Sequence, residues 1–260
     1  MTESYIKKSI WIAWERHRRT ISLSSKLRIK LYMLSSGRSR LIKFPFFLYK
    51  TIIIILREKP YVLFVQNPSI VLSIFSIILK FFFKYKLIID AHNVGVTIYN
   101  NKCLFMKPFI KFCHVFADVT VVTNKALASI VKENGGNPVV VPDPLPELGD
   151  AVEFERSDSN FIITYICSFS LDEPYIEVMR AASRIPFGIL IYITGSCTSK
   201  VRQKIKNVPN LICTGFLDEE SYISQLRNSD CIIVLTNRDD CLVCGAYEEV
   251  KKKKPLILSN

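Results

Sequence analysis

The stretch YVLFVQNPSIVLSIFSIILKFFFKYKLIIDAHN, residues 61–93, decides the fold. It opens on a short β-branched run, Tyr61 to Val65, continues through an apolar segment of helical length, Ser69 to Phe83, and closes on a second run, Lys86 to Ile89. Strand, helix, strand is the unit that joins parallel neighbours, which no tight hairpin can connect. The apolar centre, Ile70 to Phe83, is interrupted by Lys80 and falls short of the ~20 residues that span a bilayer. It reads as a buried helix.

The same rhythm extends outward in both directions. Downstream, strands are expected at Val119–Val122 and Val139–Val141, with helices at Leu104–Phe116 and Asn124–Glu133; upstream, strands at Ser9–Ile12 and Arg28–Met33 flank a helix at Arg18–Lys26. Pro142-Asp143-Pro144-Leu145-Pro146 then breaks the pattern, because proline is stiff and cannot donate to a ladder. A domain boundary belongs there, giving domains at 1–145 and 146–260. In the second, strands are expected at Phe161–Ile166, Ile189–Thr194, Leu211–Cys213, Cys231–Leu235 and Leu256–Leu258. The helices between them fall at Pro174–Ser183, Ser199–Lys206, Asp218–Asn228 and Gly245–Lys252. The expected class is α/β, with two doubly wound Rossmann-like domains in tandem. Ligands of such sheets bind beyond the carboxyl ends of the strands, so a cleft between the domains is expected, with the chemistry in the post-strand loops.

Composition agrees with two packed domains. The 260 residues are 49% apolar and 22% charged, too greasy for disorder. The formal charge of +12 is uneven: 22 Lys and Arg face 9 Asp and Glu in residues 1–150, but 13 face 14 in residues 151–260. In the basic half, Arg38, Arg40, Lys43, Lys50, Arg57 and Lys59 surround Phe44–Tyr49 and Ile52–Leu56, and Lys80, Lys84 and Lys86 surround Phe81–Tyr85. Basic and aromatic residues mixed on helices suit an anionic membrane surface. Nucleic acid is the competing partner, but no module for it is visible and none is expected to bind; ordinary core helices with solvated lysines are the bland alternative. The eight cysteines lie mostly in apolar runs and read as reduced and buried. With no secretory signal at the start, a cytoplasmic, membrane-peripheral location is expected.

The common nucleotide fingerprints are missing: no G-x-G-x-x-G follows a strand and there is no P-loop. Cys241 and Cys244 form one C-x-x-C without a second ligand pair, and His92 and His114 have no matching spacing, so no metal is expected. The informative segment is TNRDDCLVCGAYE, residues 236–248. It follows a strand and enters a helix whose first turn contains Gly245, where backbone N–H groups and the helix dipole can hold a diphosphate. Asp240 and Glu248, eight apart, can accept hydrogen bonds from sugar hydroxyls. By spacing alone, a solvated acidic face is the better explanation, since acidic pairs eight apart are common.

Asp240 to Glu248, followed by Lys254-Pro255-Leu256-Ile257-Leu258-Ser259, resembles the donor-binding E-x7-E signature and next strand of GT-B glycosyltransferases related to family 4, with Asp at the first position. Residues 8–20, Val65-Gln66-Asn67-Pro68 and Asp90-Ala91-His92-Asn93 resemble segments of that group's acceptor domain. The resemblance runs over nearly the whole chain, with its anchors in order. It implies a hexosyltransferase of polysaccharide or lipid-linked glycan synthesis, taking a nucleotide-sugar as substrate, with no cofactor and no metal. Glu248 would meet the ribose or proximal hydroxyls, Asp240 the transferred sugar, and the Cys244 and Gly245 backbone the diphosphate. The acceptor, lipid-linked or an oligosaccharide, would lie on the amino-terminal domain. Glu15, His17 and His92 fall in expected post-strand loops there, and Glu15 and His92 are the two candidates for the base that a sugar hydroxyl needs. The bland readings are a salt bridge from Glu15 to Arg18 or Arg19, and an Asn-His loop cap for His92. A basic pair often found beyond the first donor-domain strand is missing; Arg238 is the nearest substitute for neutralising a leaving diphosphate. Lys251-Lys252-Lys253 stands where related chains carry small residues and a Gly, and family members usually continue past Ser259. An incomplete second domain is therefore expected, and a catalytically silent, membrane-associated scaffold or fragment is the alternative function.

Overall fold

The computed structural model describes residues 8–35, 40–67, 69–96, 105–143, 160–238 and 254–259. The chain divides into two compact units, Met1–Pro144 and Leu145–Asn260.

In the first unit the elements run β1 (Ser9–Ala13), α1 (Arg18–Lys26), β2 (Lys30–Met33), α2 (Arg40–Glu58), β3 (Val62–Asn67), α3 (Ile70–Phe83), β4 (Lys86–Ala91), α4 (Asn93–Val96), α5 (Lys107–Phe116), β5 (Val119–Val122), α6 (Lys125–Glu133) and β6 (Pro138–Val140). They form a parallel sheet of order β2-β1-β3-β4-β5-β6. Right-handed crossovers in that order send α1 to one face and the later helices to the other. The cores divide accordingly. Leu23 of α1 packs with Trp11 and Ile29, whereas Phe47 and Ile55 of α2, Leu72 and Ile77 of α3, Cys113 of α5 and Val131 of α6 share a larger cluster.

In the second unit the order is β7 (Phe161–Tyr165), α7 (Tyr175–Ala182), β8 (Ile189–Thr194), α8 (Ser199–Lys206), β9 (Leu211–Gly215), α9 (Glu219–Asn228), β10 (Cys231–Val234) and β11 (Leu256–Leu258). The parallel sheet runs β11-β10-β7-β8-β9. Helix starts carry the caps their sequences offer: Asn124, Thr198 and Asp218 side chains accept from the backbone N–H groups of Leu127, Val201 and Ser221. Each such cap contributes about 1 kcal/mol. The first turn of α9 is acidic, with Glu219 and Glu220 beside the Asp218 cap, which suits the positive end of the helix dipole.

Both sheets are doubly wound, as expected. Two helices, α2 and the short α4, stand where the sequence reading set no helix bounds; the other differences lie at element ends and have physical causes. The strand expected from Arg28 starts at Lys30, because Arg28 adopts a left-handed backbone (φ 54) and its N–H bonds Ser25 as the helix closes. The helix expected from Leu104 starts at Lys107, with Pro108 in its first turn, where a missing N–H costs nothing. β3 and β4 run past their apolar stretches: Gln66 pairs with Asp90 and Asn67 with Ala91. That extension places buried polar side chains at the carboxyl end of the sheet. The helix expected at Gly245–Lys252 lies outside the described residues.

Candidate functional site

In the first sheet the strand order reverses between β1 and β3, and the polar residues gather beyond that point. Arg19, in the first turn of α1, is buried; its Nε donates to Asp90 Oδ1 at the end of β4 (3.0 Å), Nη1 to Asp143 Oδ1 (2.6 Å) and Nη2 to the Val141 carbonyl (2.9 Å). One guanidinium thus ties the segments after β1 and β6 to the end of β4. Burial opposes the Arg19 charge, but Asp90 and Asp143 outweigh it and hold its pKa above the usual value. Burial pushes Asp90 above the ordinary carboxylate range against the pull of Arg19.

His92 follows β4 directly, and its backbone N–H bonds the Asn67 carbonyl at 2.9 Å. Its Nε2 lies 3.8 Å from Asp90 Oδ2, and its ring centroid is 4.0 Å from that of His17, the residue that opens α1. Burial, then Arg19, lowers His92 to about 4; burial and then His92 lower His17 to about 4. Both imidazoles are therefore neutral at pH 7. Buried Asp90 Oδ2, His92 Nε2, His17 Nδ1 and Asn67 Oδ1 have no hydrogen-bond partner among the described residues. Buried polar atoms are normally satisfied, so four together at strand ends mark a place suited to a polar ligand. Gly95 completes the wall: a Cβ there would lie 2.8 Å from Asn67 Cγ, so only glycine permits this approach.

Of the two expected bases, the structure places His92 in this cluster. Glu15, in the segment between β1 and α1, is exposed and outside the network. The salt bridge considered between Glu15 and Arg19 does not form, because Arg19 turns inward to the two aspartates. Sequence reasoning missed Asp90 and Asp143 as functional groups. A charged residue ending an apolar strand was the available signal for Asp90; Asp143 sits in the proline-rich boundary and gave none.

In the second sheet the reversal falls between β7 and β10. Arg238, after β10, reaches Asp172, after β7, through Nε at 2.8 Å, and the Asn237 N–H donates to the Asp172 carbonyl. Burial opposes ionisation of Asp172, but the Ser170 hydroxyl and Arg238 outweigh it and hold the carboxyl below its usual range. Beside it, Glu173 Oε2 accepts from the Ser168 N–H (2.8 Å), the Ser168 hydroxyl (2.9 Å) and the Ser170 N–H (3.0 Å), so the loop folds around a carboxylate where a basic pair was sought. Asp240, Cys244, Gly245 and Glu248 lie outside the described residues. Among the described residues no three His, Cys, Asp or Glu side chains gather as a metal-ligand set.

No family model matches the chain, and no curated protein matches it. Solved structures do. HepE of Anabaena, in complex with UDP and glucose, aligns with a TM-score of 0.66 at 11% identity, over 95% of this chain and 71% of that one. Sucrose-phosphate synthase from Thermosynechococcus elongatus aligns at 0.71 and 11% identity, over 96% and 81%. MnaA of S. aureus with UDP aligns at 0.60 and 14%, over 97% and 79%. At these identities the likeness establishes the fold: two Rossmann-like units of the GT-B type.

Proposed function

We propose that the chain is a hexosyltransferase that moves a sugar from a nucleotide-sugar to a lipid-linked or polysaccharide-precursor acceptor at an anionic, cytoplasmic membrane face. The observation that carries this reading is the His92–Asp90 pair beyond the switch point of the first sheet, on a fold whose solved neighbours hold UDP, UDP-glucose or glucose. Neutral His92 can accept the proton of an acceptor hydroxyl through its imidazole as that oxygen attacks the anomeric carbon and the nucleoside diphosphate leaves. Asp90 Oδ2 then stabilises the imidazolium that forms.

On the donor side, Arg238 is assigned to the leaving diphosphate, which would compete with Asp172 for the guanidinium. The Cys244 and Gly245 backbone is assigned to the same group, Asp240 to the transferred sugar and Glu248 to the ribose. The nucleotide-sugar is substrate, and the reading includes neither cofactor nor metal. Glu15 remains a candidate for contacting the acceptor from the exposed side of the loop.

Support for the membrane comes from the outer surface of the helices on the large-core face. Phe46, Tyr49 and Ile53 of α2, Phe81 and Phe82 of α3, and Phe109 and Phe116 of α5 are exposed, with exposed Lys50, Lys84, Lys107 and Lys111 among them. Lys50 lies over the Phe46 ring at 5.5 Å. Exposed aromatic surface interleaved with cations fits an interfacial binding face, each cation near anionic lipid contributing about 1 kcal/mol. Among the described residues no helix is long and apolar enough to cross a membrane.

The test is transfer of labelled sugar from UDP and GDP donors into the lipid fraction of added membranes. His92→Gln should lower turnover by about 10²- to 10⁴-fold while donor affinity is kept. Equal turnover in that variant removes His92 from the role.

A further inference from the structure

Five described cysteines divide into two kinds. Cys113, Cys167 and Cys231 are buried, and burial pushes the Cys113 and Cys167 thiols up to about 12. Cys197 and Cys213 are only half-buried, which corrects the expectation of uniformly buried thiols, and their Sγ atoms lie 3.4 Å apart. A disulfide requires about 2 Å, so closure needs an approach of roughly 1.4 Å.

The two cysteines sit where regular pairing ends or is interrupted. Cys197 stands in the loop after β8, one residue before the Thr198 cap of α8. Cys213 lies in β9 beside the point where the β8–β9 register shifts, between Ile193 and Thr194. Burial and the neighbouring Cys197 raise the Cys213 thiol, while the positive charge of Arg202 in α8 favours its thiolate. A built Cβ at Gly215 would lie 3.6 Å from Arg202 Nη2, so this guanidinium reaches the end of β9.

We infer that Cys197 and Cys213 form a dithiol modification site that closes to an intramolecular disulfide in exchange with small-molecule disulfides such as oxidised glutathione. The thiolate of one cysteine attacks the glutathione disulfide, forming a mixed disulfide and releasing one glutathione thiolate. The second cysteine loses its proton and attacks the protein sulfur of that mixed disulfide, and the second glutathione thiolate leaves. Two protein thiols are oxidised and one disulfide is reduced to two thiols. Closure pins the loop after β8 to β9. The end of β8 and that loop both touch the loop after β7: the Cys167 N–H donates to Thr194 Oγ1 at 3.2 Å, and Gly195 lies against the Cys167 carbonyl. The site stands independently of the nucleotide-sugar reading.

The test incubates the full native chain with oxidised glutathione, blocks remaining thiols by alkylation and maps peptides by mass spectrometry. The expected result is a loss of two thiols and a peptide linking Cys197 to Cys213. In Cys213→Ser the reaction should stop at a glutathione adduct on Cys197, and in Cys197→Ser no intramolecular link should form. Recovery of both residues as alkylated thiols, or as persistent glutathione adducts in the unsubstituted chain, overturns the proposal. So does the same loss of two thiols in Cys213→Ser.

Discussion

Arg19 Nε donates to Asp90 Oδ1 at 3.0 Å, joining the first turn of α1 to the end of β4 across 71 residues of chain, and both side chains are almost fully buried. Removing one member of a buried pair leaves the other as an uncompensated charge. Arg19→Met should therefore destabilise the first unit by about 3–5 kcal/mol, read as a lower urea midpoint. Asp90→Asn in the same background should recover part of the loss. Additive effects of the two substitutions would show that the pair is not coupled.

The two imidazoles make stability depend on pH. His17 and His92 have folded values of about 4 against an ordinary 6.5, so below pH 6.5 the unfolded chain binds protons that the folded chain refuses. Their contribution is present above pH 6.5 and is lost as the pH falls toward 4. For the more deeply enclosed His92 the loss is on the order of 3 kcal/mol, and less for His17. Denaturation midpoints between pH 7 and 4 should fall more steeply in the parent than in His92→Gln. Parallel curves would contradict the burial of His92 as a neutral base.

Gly95→Ala places a methyl group 2.8 Å from Asn67 Cγ, so the buried Asn67 side chain must shift. Overpacking of this kind costs about 1–3 kcal/mol. Asn67→Ser in the same chain should relieve it, and a thermal midpoint unchanged by Gly95→Ala alone would show that the loop opens freely.

Phe81 and Phe82 are 67% and 75% exposed at the end of α3. Replacing both with Ser should leave stability within about 0.5 kcal/mol, as exposed substitutions generally do. It should also weaken sedimentation with vesicles rich in phosphatidylglycerol, and added salt should weaken the parent's binding as well. Binding by parent and variant alike would exclude this face from the contact.

The fold was legible because a parallel sheet demands apolar strands and helical crossovers, and runs such as Val119–Val122 and Ile189–Thr194 display both directly. His92 was legible for a related reason: it directly follows such a run. Its partners were not. The aspartate that faces it is held by an arginine 71 residues away, and that arginine's second partner stands in a segment that reads as a stiff linker. Arg238 could be nominated from its position after β10, but its pairing with Asp172 depends on two strands becoming neighbours, which no local pattern encodes. The ends of β3 and β4 were missed because the apolar pattern stops before the backbone pairing does.

The central claim is that this chain binds a nucleotide-sugar, and calorimetric titration of the full chain with a panel of UDP and GDP sugars tests it most directly. Saturable heat is expected for at least one donor, with affinity reduced about tenfold in Arg238→Ala, the loss of one charge-assisted contact to the diphosphate, and unchanged in His92→Gln. The absence of saturable heat with every donor would contradict the account and leave a silent relative of this fold in its place.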